Sequence, residues 1–143
     1  MNVRNILKHR YPFLFVDKVI EHKYNEKVVG IKYITNNDPW VQGHFPDEPI
    51  FPGVYILESM AQIGGLLFYT DDENNQDNKN GKFGWLAGAE KVKFIKVVVP
   101  GDILRIEATK KMDVGNLAKV SCVAYVDEVK VASAEVIYAF EQL

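Results

Sequence analysis

VYILESMAQIGGLLFY, residues 54–69, is the stretch on which the fold turns. As a helix it would be about 24 Å long, and its apolar residues fall on nearly every side rather than along one stripe. A helix of that kind has to lie inside something. The wrapping is supplied downstream, where residues 83–99, 103–112, 117–126 and 129–140 read as strand after strand, rich in Val, Ile and aromatic side chains. The breaks are Pro100-Gly101, which suits the middle of a type II turn, then residues 113–116, then Asp127-Glu128. Upstream, residues 13–21 and 27–35 add two strands joined across the polar residues 22–26. The expected architecture is an α+β domain spanning residues 1–143, an antiparallel sheet wrapped around one long central helix. A single sheet leaves edges and one side of the helix uncovered, so a homodimer is expected.

Residues 43–53 hold three prolines and two glycines, which predicts irregular backbone with preset dihedrals between the second strand and the helix. At the start, Val3, Ile6 and Leu7 predict a short amphipathic helix that Pro12 stops. The segment TDDENNQDNKNGK, residues 70–82, carries four acids and two lysines and reads as a solvated loop.

A chain of 143 residues with 48% hydrophobic and 25% charged residues is composed like one globular domain. Its 17 basic and 19 acidic residues give a net charge of −2, so no global positive field attracts nucleic acid or an anionic membrane. The first ten residues lack the apolar run of a secretory signal, and the apolar stretch around the helix is interrupted by Glu58, Ser59 and Gln62. The expectation is a soluble, cytoplasmic protein without membrane insertion. Cys122 is the one cysteine, which excludes an intrachain disulfide and reads as a small buried hydrophobe on a strand. His9, His22 and His44 show no paired ligand spacing, and no glycine-rich phosphate loop or dinucleotide fingerprint is present. No metal and no cofactor are expected.

Two side chains invite a chemical reading. His44 sits between Gly43 and Phe45-Pro46, where it is either a base near neutral pH or a histidine merely packed against a proline loop. Glu58 falls on the second turn of the apolar helix beside Leu57, Met60 and Ala61, where desolvation would raise a carboxyl's pKa unless the group turns to solvent. Gln62 follows one turn later, within reach of Glu58 as an orienting partner. Gly53 and Val54 open the helix, where free amides meet the positive end of its dipole.

The segment QGHFPDEPIFPGVYILESMAQ, with HRYPFLFVDKV before it and LAGAEKVKF and VVPGD after it, resembles the signature of the FabZ-type β-hydroxyacyl-acyl carrier protein dehydratases of bacterial fatty-acid synthesis. The resemblance covers nearly the whole chain apart from residues 70–82. It implies a hot-dog fold, dimers that often assemble as trimers of dimers, and removal of water from a (3R)-hydroxyacyl thioester to leave a trans-2-enoyl thioester. It further implies that His44 and Glu58 are catalytic, that the amides of Gly53 or Val54 meet the substrate carbonyl, and that His44 of one chain faces Glu58 of the other. The acyl and pantetheine arm then needs an apolar passage, for which Phe45, Phe51, Phe83, Trp85 and Phe94 are candidates, although aromatics at strand spacing also build plain core. An acidic acyl carrier protein would need a local basic patch, for which Arg10, Lys91, Lys93 and Lys96, with Arg105, are candidates; Lys91 and Lys93 alternate with Val92 and Phe94 and are expected on one strand face. The chain departs from the family in carrying Trp85-Leu86 where many members have Tyr-Phe, and Lys8 where a proline is usual. A dehydratase that also isomerises the double bond, and a non-catalytic acyl-thioester binder on the same fold, remain open.

Overall fold

Pro52, with φ −56° and ψ 135°, delivers an extended chain to the central helix α2, Gly53–Gly65. The computed structural model describes residues 1–74 and 83–141. The helix is shorter than the sequence predicts. It reaches the pair Gly64-Gly65, poor residues for a helix interior, and tightens into a 3-10 turn over Leu66–Phe68.

Six antiparallel strands curl around it: β1 (Lys18–Lys23), β2 (Lys27–Tyr33), β3 (Phe83–Phe94), β4 (Ile103–Val114), β5 (Leu117–Val126) and β6 (Val129–Glu141). Their order across the sheet is β1-β2-β4-β5-β6-β3, so β1 and β3 form its edges. The inward faces show period two: Leu104, Ile106 and Ala108 on β4, then Ala118, Val120, Cys122 and Ala124 on β5 are all buried. They meet Ile56, Met60 and Ile63 of α2 in one core. Gly30 on β2 marks a close approach of the sheet to α2, because a Cβ there would stand 2.7 Å from the Ile63 side chain.

Val99–Asp102 is the turn read from Pro100-Gly101, with Asp102 N–H donating to Val99 O at 3.0 Å and Gly101 at φ +101°. The hairpin between β5 and β6 turns at Asp127 and Glu128, φ 49° and 64°.

Three expectations are corrected. The first helix, α1, covers Val3–Ile6 and ends well before Pro12, since Arg10 donates to the carbonyls of Arg4 (2.9 Å), Leu7 (2.8 Å) and His9 (2.7 Å) and pins that backbone in another path. Residues 13–17 form no strand because their backbone bonds to a helix side chain: Phe15 N–H donates to Gln62 Oε1 at 2.8 Å, and Gln62 Nε2 donates to Phe13 O at 2.9 Å. β3 stops at Phe94 rather than Val99, as the amides of Ile95 and Lys96 converge on one acceptor, Val131 O. The loop expected over residues 70–82 falls mostly outside the described residues. No helix among the described residues is long and apolar enough to cross a membrane.

Candidate active site

Seven residues of α2 are buried, and of the other six, Val54, Leu57, Glu58 and Gly65 lie along one side of the helix. The part of that flank from Glu58 to Gly65 opens onto a cavity of about 620 Å³ between α2, the segment around α1, and strands β3 and β6. Its lining combines the polar side chains of His9, Glu58 and Gln62 with those of Leu7, Trp85, Tyr138 and Phe140.

Glu58 keeps 20% of its side chain accessible, so the desolvation expected of a buried helix position is only partial in one chain. Its Oε1 accepts from Gln62 Nε2 at 3.0 Å, the expected neighbour one turn on. The same amide nitrogen reaches Phe13 O, and the amide oxygen takes Phe15 N–H, so Gln62 is fully engaged and cannot swing away. His9 Nε2 stands 3.6 Å from the same Oε1, while His9 Nδ1 is buried with no hydrogen-bond partner among the described residues. Deeper in, Tyr138 donates to Ala61 O at 2.6 Å, and burial raises its hydroxyl pKa well above the ordinary value.

His44 stands elsewhere, on the proline-rich loop after a 3-10 turn over Pro39–Gln42. Its Nδ1 lies 2.7 Å from Ile50 O, and a carbonyl only accepts, so the proton sits on Nδ1 and Nε2 carries the lone pair. The loop is closed by Ile50 N–H to His44 O (2.9 Å) and His44 N–H to Trp40 O (3.0 Å), which hold the ring's backbone on both sides. His44 is not among the residues lining the cavity that Glu58 lines.

At the helix start, Tyr55 and Ile56 amides return to Pro52 O, whereas those of Gly53 and Val54 have no intrahelical acceptor. The Phe94 ring rests on Gly53, where a Cβ would come within 3.2 Å of it. Val54 and Phe94 are exposed, at 66% and 51%.

The aromatic candidates separate. Trp85 lines the cavity. Phe51 does not: it is 1% exposed and packs edge-on against Trp40 and Phe15, so it is core. Phe45 stacks on the His44 ring at 4.2 Å and Phe94 covers Gly53, both outside this cavity. The side chain of Phe83 is outside the described residues.

The basic candidates also separate. Arg10 turns its guanidinium onto its own backbone. Lys91 and Lys93 do not share a face by simple alternation, because the β3–β6 register slips between Glu90 and Lys93 and Lys91 has φ 51°, a bulge that rotates the chain. Lys91 then lies 3.6 Å from Glu135, a carboxylate also met by Lys111 and Lys119. Arg105 is held by Glu107 and Glu128. Lys93 and Lys96 are exposed and make no ion pair among the described residues. No cluster of three His, Cys, Asp or Glu that could hold a metal exists among the described residues.

Among the cavity residues that sequence reasoning passed over are His9 and Tyr138. His9 sits in the HRYPF segment, but nothing local says that this segment folds back on the helix.

Comparison with known proteins adds the following. The family described as FabA-like domain matches residues 7–135. A relative named 3-hydroxyacyl-[acyl-carrier-protein] dehydratase FabZ, from Caldanaerobacter subterraneus subsp. tengcongensis, is 43% identical over 141 residues, covering 99% of this chain and 96% of its own. Another of that name, from Thermoanaerobacter pseudethanolicus, is 44% identical over 137 residues, with 96% and 93% covered. Among solved structures, the dehydratase heterocomplex ApeI:P from Xenorhabdus doucetiae superposes with a TM-score of 0.79 at 16% identity, covering 99% of this chain and 92% of that one. That likeness concerns the hot-dog fold.

Proposed function

The chain belongs to the FabA-like family, among its FabZ dehydratases, and from that premise we propose which residues carry its reaction. It is a 3-hydroxyacyl-[acyl-carrier-protein] dehydratase of fatty-acid biosynthesis, a hydro-lyase that turns a (3R)-hydroxyacyl thioester into the trans-2-enoyl thioester and water. The observation that carries this conclusion is the full-length identity of 43% to a dehydratase of that name.

His44 is the base. Nδ1–H is committed to Ile50 O, so Nε2 takes the proton from the carbon beside the thioester carbonyl. The electron pair of that C–H bond becomes the C=C bond as the C–O bond at the next carbon breaks. Glu58 is the acid and protonates the departing hydroxyl, which leaves as water. The amides of Gly53 and Val54, at the positive end of α2, hold the thioester oxygen as charge develops on it. An imidazolium and a carboxylate remain, and a proton returns from one to the other before the next turnover.

The working unit is a homodimer in the cytoplasm, each chain one hot-dog domain. Support comes from the unpaired edge β3, with Leu86, Val92 and Phe94 exposed on it, and from exposed Ile95, Val97 and Val54 beside it. A second copy on this edge covers the open flank and brings its His44 to the Glu58 cavity, which in one chain has no His44. Exposed Lys93 and Lys96 meet the acidic carrier protein.

The test is incubation with 3-hydroxyacyl thioesters of graded length, with the products separated by mass and chromatography. Enoyl thioester is expected; free acid, shifted double bond alone, or unchanged substrate would overturn the reading.

A further inference from the structure

We propose that His9 is a positioning residue for the acid, donating from Nε2 to Oε1 of Glu58 and so confining the transferable proton to Oε2. The proposal rests on Glu58 being the acid and concerns how that acid is held.

The argument starts from the orphaned nitrogen. His9 Nδ1 is buried with no hydrogen-bond partner among the described residues. A buried N–H without an acceptor loses its hydration for nothing, and the same holds more weakly for a lone pair, which is the less costly group to leave there. A neutral His9 therefore carries its proton on Nε2. That nitrogen is the one aimed at Glu58 Oε1, 3.6 Å away, a gap that a small side-chain rotation closes when the carboxylate forms.

The His9 backbone is fixed for this task. Arg10 donates to the carbonyls of Arg4, Leu7 and His9, and the ring stacks on Phe13, whose own carbonyl is held by Gln62. Gln62 already donates to Oε1 at 3.0 Å. Two N–H groups thus converge on one carboxyl oxygen, while Oε2 has no partner among the described residues. A proton on Oε1 would face both donors, so the proton resides on Oε2 and leaves from there. As it leaves, charge grows on the carboxylate and both hydrogen bonds strengthen, which lowers the barrier without tightening substrate binding.

The experiment compares four folded variants with wild type: His9→Phe, His9→Asn, His9→Gln and Glu58→Gln, with circular dichroism and Tm verifying the fold of each. Gln places an amide N–H near the Nε2 position, whereas Asn reaches only the Nδ1 position and Phe offers no donor. His9→Phe and His9→Asn are expected to lose roughly ten- to a hundredfold in kcat, the effect of one hydrogen bond to a charged group, with KM little changed; His9→Gln recovers most of the rate. In the Glu58→Gln background, adding His9→Phe should leave the residual single-turnover rate unchanged, since His9 works through Glu58. Wild-type kcat in His9→Phe and His9→Asn, a His9→Gln variant no better than His9→Asn, or an undiminished His9 effect without Glu58 would each overturn the proposal while leaving the acid assignment standing. Wild-type turnover in Glu58→Gln would remove the acid assignment, and this proposal with it.

Discussion

Each side chain proposed to react is held by a backbone or amide partner. Ile50 O holds His44 Nδ1–H and thereby frees Nε2, while Gln62 Nε2 holds Glu58. Neither contact contributes much to the core, so the chemistry is separable from the fold. His44→Ala and Glu58→Gln are expected to fold normally and to lose about a hundredfold or more in kcat, as for an acid or base removed from a proton-transfer step. Turnover near wild type in either folded variant would take that residue out of the mechanism. Cys122 illustrates the opposite case: burial pushes its thiol up to about 12, leaving it the inert hydrophobe its strand position predicts.

At the scale of elements, the end of α2 sets two adjacent glycines in different surroundings. A Cβ on Gly64 would meet the Tyr138 hydroxyl at 2.5 Å and Val120 at 3.4 Å, whereas one on Gly65 would reach nothing closer than Tyr138 at 3.9 Å. Gly64→Ala is therefore expected to destabilise by about 1–3 kcal/mol through overpacking. Gly65→Ala should be neutral or stabilising by up to about 1 kcal/mol, the ordinary gain of alanine over glycine in a helix. Urea denaturation decides both; equal effects would mean that the sheet is free to yield at Tyr138. Gly65 also faces the cavity, so Gly65→Leu should shorten the longest acyl chain turned over while leaving short substrates unaffected. An unchanged length profile would place the acyl chain elsewhere.

For the whole molecule, the separation of His44 from the Glu58 cavity gives the shared-site proposal a decisive test. His44→Ala and Glu58→Ala chains, unfolded together and refolded, would form mixed dimers with one intact composite site, and two inactive proteins should yield about one quarter of wild-type activity. A dead mixture with demonstrated subunit exchange would refute the shared site. Stability towards acid is expected to depend on a cluster across four strands, in which Lys111, then Lys91 and Lys119, hold the Glu135 carboxyl below the usual carboxylate range. Glu135 thus takes up its proton at lower pH in the folded protein than in the unfolded chain. Its stabilising contribution is complete above the unfolded value of about 4.3 and is lost as pH falls through the lower folded value. Glu135→Gln should accordingly flatten the loss of Tm in that acidic window; an unaltered acid profile would show the cluster to be without energetic effect.

The sequence by itself determined that an all-round apolar helix would be wrapped by strands, because periodicity is a local property that burial must respect: α2 and the alternating faces of β4 and β5 follow from it. It also determined which side chains could do acid-base work, since only a few residue types titrate in the useful range. What the tertiary structure decided were contacts between residues distant in sequence and the places where register slips. Gln62 replaces a strand partner for residues 13–15, Phe51 turns into the core, Arg10 folds onto its own backbone, a bulge breaks the face expected of Lys91 and Lys93, and His9 arrives beside Glu58. Local pattern cannot specify these, because each depends on where the chain returns after tens of residues, and one extra residue in a strand reverses every side chain beyond it.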